Sequence, residues 1–330
     1  MRSRHWRFIT VLIVIGFATT FYLPAAAAGP IKIGVNCTMK PGGAEEAAIL
    51  KFKKLVEQKS NGQMVVNPFM SGQLGGEIPV LGLLKIGKTE MALTGGLFLS
   101  QYAPEYNAVN IPYLFTWAQM LEYIDGPFGK KIDELALKKG GLVHYGPQYR
   151  AARHMTSSRS IKKAEDVKGL KMRLPKIPMW LRIWKTLGAL PVAIPAPEIY
   201  LAMKTGQVEA HENSLVSPYS RSLWEVQKYI ILTAHVYLPW WWVASDVWLK
   251  KLTPEQQQII RESVEIARLY GEKVEREKDG FYAKELKKKG MIFITPDIDS
   301  FKKAARPAIL EEVKRLHPDV QKAVMKYVPK

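Results

Sequence analysis

Three arginines stand beside turn and strand signals near the middle of the chain. Arg150 and Arg153 precede Thr156-Ser157-Ser158, and Arg173 lies near the end of Gly169-Leu170-Lys171-Met172-Arg173-Leu174-Pro175. An arginine presents a planar fork of N–H donors that matches the two oxygens of a carboxylate, so arginines held on rigid backbone can clamp an organic acid. A single arginine is ordinarily a solvated surface cation. Two or three converging on one place would be a binding site, and the question becomes which elements bring them together.

Other chemistry lacks a complete set of residues. Gly82-Leu83-Leu84-Lys85-Ile86-Gly87-Lys88-Thr89 fits the G-x-x-x-x-G-K-[ST] pattern. A phosphate-cradling loop must follow a strand and open a helix, whereas these glycines close a helix and lead into a strand. His211-Glu212-Asn213 lacks the second histidine of a zinc-binding H-E-x-x-H, and the six histidines show no ligand spacing. Ser157, Ser158 and Ser160 sit in no nucleophile elbow. The sequence therefore predicts neither an enzyme nor a metal or cofactor site.

The chain begins with Arg2, Arg4 and Arg7, an uncharged stretch from Phe8 to Leu23, and the small-residue run Ala25 to Ala28. That order reads as an export signal cleaved near Ala27 or Ala28. It implies a periplasmic protein of about 300 residues, more than one core usually organises, so two domains are expected. Cys37 is the sole cysteine, which excludes an internal disulfide framework and reads as a small buried residue. The net charge of +18 falls to +15 when Arg2, Arg4 and Arg7 are removed. The lysines are scattered along amphipathic segments, so this charge reads as a solvated basic surface that attracts small anions, not as a nucleic-acid interface.

Strand-like and helix-like runs alternate, which predicts α/β layers. Strands are expected at 31–36, 64–68, 91–94, 142–145, 170–173, 193–194 and 207–211. Helices are expected at 44–60, 77–86, 127–139, 179–187, 198–205 and 254–288, the last capped by Thr253 and interrupted only by Gly271 and Gly280.

Several ordered blocks carry a resemblance. They are Gly72-Gln73-Leu74-Gly75 with Glu77, Asn110-Ile111-Pro112-Tyr113-Leu114-Phe115, Arg153-His154-Met155-Thr156-Ser157, the Asp166 to Pro175 segment, Glu198-Ile199-Tyr200, Thr205 to Asn213, and Glu225-Val226-Gln227-Lys228-Tyr229. Together they resemble the solute receptors of tripartite ATP-independent periplasmic (TRAP) transporters across nearly the whole exported chain. The resemblance implies a two-lobed, type II-like periplasmic-binding-protein fold, each lobe a mixed sheet flanked by helices, with a hinge and a long lobe-spanning helix. The lobes would comprise 29–150 plus 239–278 and 151–238 plus 279–330. It also implies that Arg173 pairs with the ligand carboxylate, that Arg153 assists, and that Asn213 and Asn36 touch ligand. Glu77, Trp240, Phe98 and Tyr149 complete the candidate site.

Departures bear on the ligand. Where sialic-acid receptors of the family carry polar sugar-holding side chains, this chain has Gly76, Gly95 and Phe98, and Ala196 replaces a pocket phenylalanine. In an extended run Trp240 and Trp242 share one face and Trp241 takes the other, so these rings could serve the cleft or the core. The expectation is a monomeric receptor that closes around a monocarboxylate with an apolar or aromatic tail, such as a 2-oxo or hydroxy acid, and delivers it to TRAP-type membrane permease subunits. The alternatives are a uronate-like sugar acid as ligand, an exported enzyme acting on an acidic small molecule, or a receptor that serves an ATP-driven importer or a sensor kinase.

Overall fold

The computed structural model describes residues 29–330; the expected export signal and its cleavage point lie outside the described residues. Eleven strands are present among them: β1 Ile31–Cys37, β2 Met64–Phe69, β3 Met91–Thr94, β4 Leu142–Gln148, β5 Arg153–Ser157, β6 Lys171–Leu174, β7 Leu190–Ala193, β8 Ala210–Asn213, β9 Tyr229–Val236, β10 Trp240–Ser245 and β11 Ile292–Ile294. They form two mixed sheets, ordered β2-β1-β3-β10-β4 and β11-β9-β5-β8-β6-β7. The chain passes from the first sheet to the second between β4 and β5, and returns between β9 and β10. Arg150 lies in the first of these crossings and Leu238 in the second. The result is a two-lobed α/β fold.

Local pattern explains most elements. The helix Ala44–Lys59 buries Ala44, Ala48, Ile49, Phe52 and Val56, a stripe at helical spacing that packs with Ile33, Val35 and Cys37 from alternate positions of β1. The helix Glu77–Lys85 is followed by Gly87 at φ +69° and then by β3. A left-handed turn suits glycine, and it closes the helix where a phosphate loop would have to open one.

The helix Pro254–Lys288 starts with Thr253 accepting from the Gln256 N–H, while the Gln256 side chain accepts from the Thr253 N–H. It runs through Gly271 and Gly280 without a break, unlike the expected interruption. A Cβ at Gly271 would lie 2.5 Å from Gln148 Nε2 and 2.8 Å from Ala48 Cβ, so glycine here admits close approach to β4 and to the helix Ala44–Lys59.

The second lobe packs β5, β6 and β8 against Trp180, Trp184, Phe301 and Ile309. The C-terminal segment, expected with the second lobe, packs on aromatic residues that precede β4 in the chain. His317 stacks on Tyr106 at 5.4 Å, and Tyr327 meets Phe115 edge-on at 5.2 Å. These rings cover apolar surface beside the helices Trp117–Asp125 and Pro127–Gly140. No helix among the described residues is long and apolar enough to cross a membrane.

Candidate ligand-binding site

A small, partly open cavity of about 40 Å³ lies where segments from both sheets meet. Its walls include Thr38 and Met39 after β1, Glu77, Gly96 and Leu97, Arg150, Arg153, Arg173, Ala196, Asn213, Arg221, Leu238 and Trp240. A larger open cleft of about 980 Å³ runs past Tyr113, Lys303, Arg306 and Lys326. It holds none of the four arginines, and an open groove leaves charges solvated, so the small cavity is the place where an ion would be desolvated and held.

Arg173 enters the cavity from β6, while its neighbours Met172 and Leu174 are buried in the core. Period-two alternation accounts for the difference. Its Nε donates to the Ile194 carbonyl at 2.8 Å, which aims the guanidinium. Burial pushes its pKa down to about 9, with Glu212 acting in the opposite direction and Arg153 and Arg221 reinforcing the fall.

Arg153, at the start of β5, is already committed. Its Nε donates to Glu212 Oε2 at 2.5 Å, and its Nη2 donates to Oε1 at 2.7 Å and to the Glu212 carbonyl at 2.9 Å. His235 Nε2 lies 3.1 Å from Glu212 Oε2, and its Nδ1 lies 2.8 Å from Thr233 Oγ1. Burial opposes ionisation of Glu212, but Arg153 and His235 outweigh it and hold the carboxyl well below the usual range. Arg153, expected to assist Arg173, thus lines the cavity with its charge already balanced by Glu212.

Arg150 donates Nε to Ser214 Oγ at 3.2 Å and Nη2 to Asn213 Oδ1, and its guanidinium lies 4.3 Å from the centre of the Trp240 ring. Burial pushes its pKa down to about 10, reinforced by Arg153 and opposed by Glu45. Asn213 Oδ1 also accepts from the Ser214 N–H at 3.0 Å. With its oxygen engaged, the amide of Asn213 offers the cavity its NH2 group as a donor. Glu77 Oε2 accepts from Thr94 Oγ1 and from the Gly95 N–H, each at 2.9 Å, leaving Oε1 as a free acceptor.

Trp240 lines the cavity and donates Nε1 to Glu45 Oε1 at 2.8 Å. Trp242, on the same face, packs on Phe52 at 5.5 Å, and Trp241 packs on Phe98 at 5.3 Å. One ring of the run thus serves the cavity, and the other two serve the core.

Three expected residues do not reach the cavity. Phe98 is fully buried between Trp241 and His144, because the helix Leu97–Tyr102 presents Leu97 to the cavity and turns Phe98 into the core. Asn36 is buried within β1 between Phe69 and Ala92, and Thr38 and Met39 beyond the strand end reach the cavity in its place. Tyr149 stays half-buried on the outer side of the crossing, under Arg276 at 3.8 Å and edge-on to Trp117 at 4.8 Å. Arg221, Glu212 and Leu97 were not anticipated as site residues. For Glu212 the available signal was the His211-Glu212-Asn213 segment itself, since Asn213 and its neighbour share a strand that pairs with β5.

Arg150, Arg173 and Arg221 are each at most 4% exposed, and none makes an ion pair with a carboxylate among the described residues. Behind them lies a buried acid pair. Glu275 Oε1 accepts from the Ala151 N–H at 3.2 Å, while Oε2 of both Glu45 and Glu275 lacks a partner. Burial and the Glu45 carboxylate push Glu275 up to about 8 from an ordinary 4.5. A raised folded-state pKa means that this acid contributes stability fully below pH 4.5 and loses it as the pH climbs through 8. Glu275→Gln keeps an acceptor for Ala151 and removes the titration. Its melting temperature should match wild type near pH 4.5 and exceed it by roughly 5 °C at pH 8, as read by circular dichroism; a gain largest in acid would contradict this assignment. No group of three or more His, Cys, Asp or Glu among the described residues is placed to hold a metal ion.

The family model DctP, described as bacterial extracellular solute-binding protein, family 7, matches residues 36–315. The chain is similar to a solute-binding protein of Roseobacter denitrificans, with 28% identity over 300 residues, 88% of this chain and 91% of that protein. It is also similar to the 2,3-diketo-L-gulonate-binding periplasmic protein YiaO of Escherichia coli, 27% identical over 310 residues and 93% of each chain. Among solved structures it resembles a TRAP periplasmic solute binding protein from Polaromonas sp. JS666 bound to D-erythronate, with TM-score 0.84, 26% identity, and coverage of 89% of this chain and 98% of that one. Another, from Bordetella bronchispeptica with density read as pantoate, gives TM-score 0.83, 25% identity, and coverage of 91% and 99%. These relatives are solute-binding receptors, not enzymes. The chain belongs to the DctP family, family 7 of the bacterial extracellular solute-binding proteins, whose members are periplasmic receptors of TRAP transporters.

Proposed function

We propose that this receptor captures a small hydroxy acid with a short apolar body and hands it to TRAP-type permease subunits in the membrane. The observation that carries the reading is the set of buried guanidiniums without carboxylate partners around one small cavity. A buried charge is costly unless paired, and a ligand carboxylate supplies the pair. Arg173 takes the carboxylate, and the Asn213 NH2 assists. Glu77 can only accept hydrogen bonds when ionised, so its free Oε1 favours a ligand hydroxyl over a keto oxygen. Leu97, Ile177, Leu238 and Trp240 offer the apolar body a matching wall.

The lobes, 29–150 plus 239–278 and 151–238 plus 279–330, part and close about the crossings at residues 149–152 and 237–239. Capture by the open form and exclusion of water on closing shift the population toward the closed form. The reaction ends in binding, and the receptor acts as a monomer.

A second reading, a six-carbon sugar acid such as a uronate, draws on the relative that binds 2,3-diketo-L-gulonate. Against larger members of that class stands the apolar wall of Leu97, Ile177, Leu238 and Trp240, which offers the extra hydroxyls of a sugar ring few partners. A thermal-shift panel separates the two. Pantoate and D-erythronate should raise the melting temperature by several degrees, and galacturonate should have little effect. Stabilisation by uronates alone would replace the first reading with the second.

A further inference from the structure

Arg221, unlike Arg153 and Arg173, reaches from the second sheet to the first without lying at a crossing. It follows the helix Val216–Ser220, which comes after β8 of the second sheet, yet its Nη2 donates at 3.0 Å to the carbonyl of Thr38, just beyond β1 of the first sheet. The same nitrogen lies 3.8 Å from Met39 Sδ. Its Nε is buried with no acceptor, and no carboxylate among the described residues pairs with it. The side chain lines the cavity together with Arg173 and is 4% exposed.

These facts set a sign. While the lobes are apart, water solvates both guanidiniums. When the lobes meet around an empty cavity, that hydration is lost, and the carbonyls of Thr38 and Ile194 replace only part of it. An anion in the cavity restores the missing partner and reverses the balance. A neutral molecule of the same shape does not.

We propose that Arg221 is an interlobe latch that makes closure conditional on an anion: it grips the first lobe through Thr38 but disfavours the closed form until a negatively charged oxygen arrives beside it. The inference rests on the reading of this cavity as a carboxylate receptor. It assigns Arg221 a positioning and gating role that the clamp at Arg173 does not perform. It also predicts that the amide of an acid ligand occupies the open site without closing it.

The test uses the exported protein with nitroxides at Lys54→Cys and Lys204→Cys, both exposed positions, with native Cys37 buried. Dipolar spin-spin distances report the closed fraction, and calorimetry reports affinity, with pantoate, D-erythronate and pantoamide as probes. In the otherwise unaltered receptor the acids should shorten the distance and pantoamide should not. Arg221→Met should raise the closed fraction without acid at least threefold, because the unpaired charge is gone, and weaken acid binding 10- to 100-fold. Arg221→Lys keeps the charge and should leave the empty-state distances unchanged while weakening binding about tenfold. An Arg221→Met receptor whose empty-state distances and acid affinity both stay within twofold of the parent overturns the latch. So does closure by pantoamide. If the parent binds neither acid, or if Arg173→Ala binds them fully, the receptor reading of the cavity falls and the latch falls with it.

Discussion

Arg173→Ala should abolish acid-dependent stabilisation and leave the fold standing. Each charge-assisted hydrogen bond to a carboxylate contributes about 1.5–3 kcal/mol, so losing both prongs of a bidentate pair weakens binding by at least about a hundredfold. The fold tolerates the change because β6 keeps its pairing with β7 and β8 through the backbone, and the side chain gives only the Ile194 carbonyl a partner. Removing a buried, unpaired cation also removes a desolvation penalty, as the depressed pKa of Arg173 reflects. The unliganded melting temperature should therefore stay within about 3 °C of wild type. Titration calorimetry with pantoate and D-erythronate, beside circular dichroism melts, gives both quantities. Undiminished affinity would remove the carboxylate clamp from this arginine. Arg173→Lys should fall between, since an ammonium keeps the charge and loses the fork.

Glu212→Gln should have the opposite profile, a large loss of stability ahead of any loss of binding. Glu212 is fully buried and balances Arg153 through two side-chain bonds while holding His235. Removing one member of a buried pair typically costs 3–5 kcal/mol, because the survivor is left charged in a dry site. At about 2–4 °C per kcal/mol for a protein of this size class, the melting temperature should drop by roughly 10 °C near neutral pH.

The pH dependence has a defined sign. The folded-state pKa of Glu212 is depressed, so its contribution is present above the ordinary carboxylate pKa and is lost as the pH falls toward the folded value. The gap between variant and wild type should accordingly narrow in acid. The double variant Arg153→Met with Glu212→Leu should recover much of the loss, because neither member of this pair is then left charged without the other. A Glu212→Gln protein as stable as wild type at pH 7 would show that this pair does not matter to the fold.

The acidic pair Glu45 and Glu275 shows how a site residue acquires its setting at a distance. Trp240 is held by Glu45, which weighs on Glu275 in the long helix, and the Ala151 N–H at the crossing donates to that same acid. The crossing that carries Arg150 is therefore tied to the helix Pro254–Lys288 by a group whose charge changes with pH.

Elements with local causes were legible in the residues. The helix Pro254–Lys288 could be bounded because Thr253 caps it and its hydrogen bonds span four residues. β3 was bounded at Met91–Thr94, and the glycines of the P-loop-like string could be placed at a helix end. The faces of Trp240, Trp241 and Trp242 followed from the two-residue period of a strand, although which face met the cavity did not.

What belonged to the sequence alone was thus the alternation of elements, the arginine-bearing strands and the ordered blocks of a solute receptor, because each depends on near neighbours along the chain. Tertiary structure decided which charges were already spoken for and which side chains faced inward. Arg153 meets Glu212 across 59 residues, and Arg221 meets Thr38 across 183. Leu97, not Phe98, faces the cavity only because of how one short helix docks. Such outcomes follow from register and packing between distant segments, where a shift of one position exchanges core for cavity, and no local preference of the residues concerned encodes them.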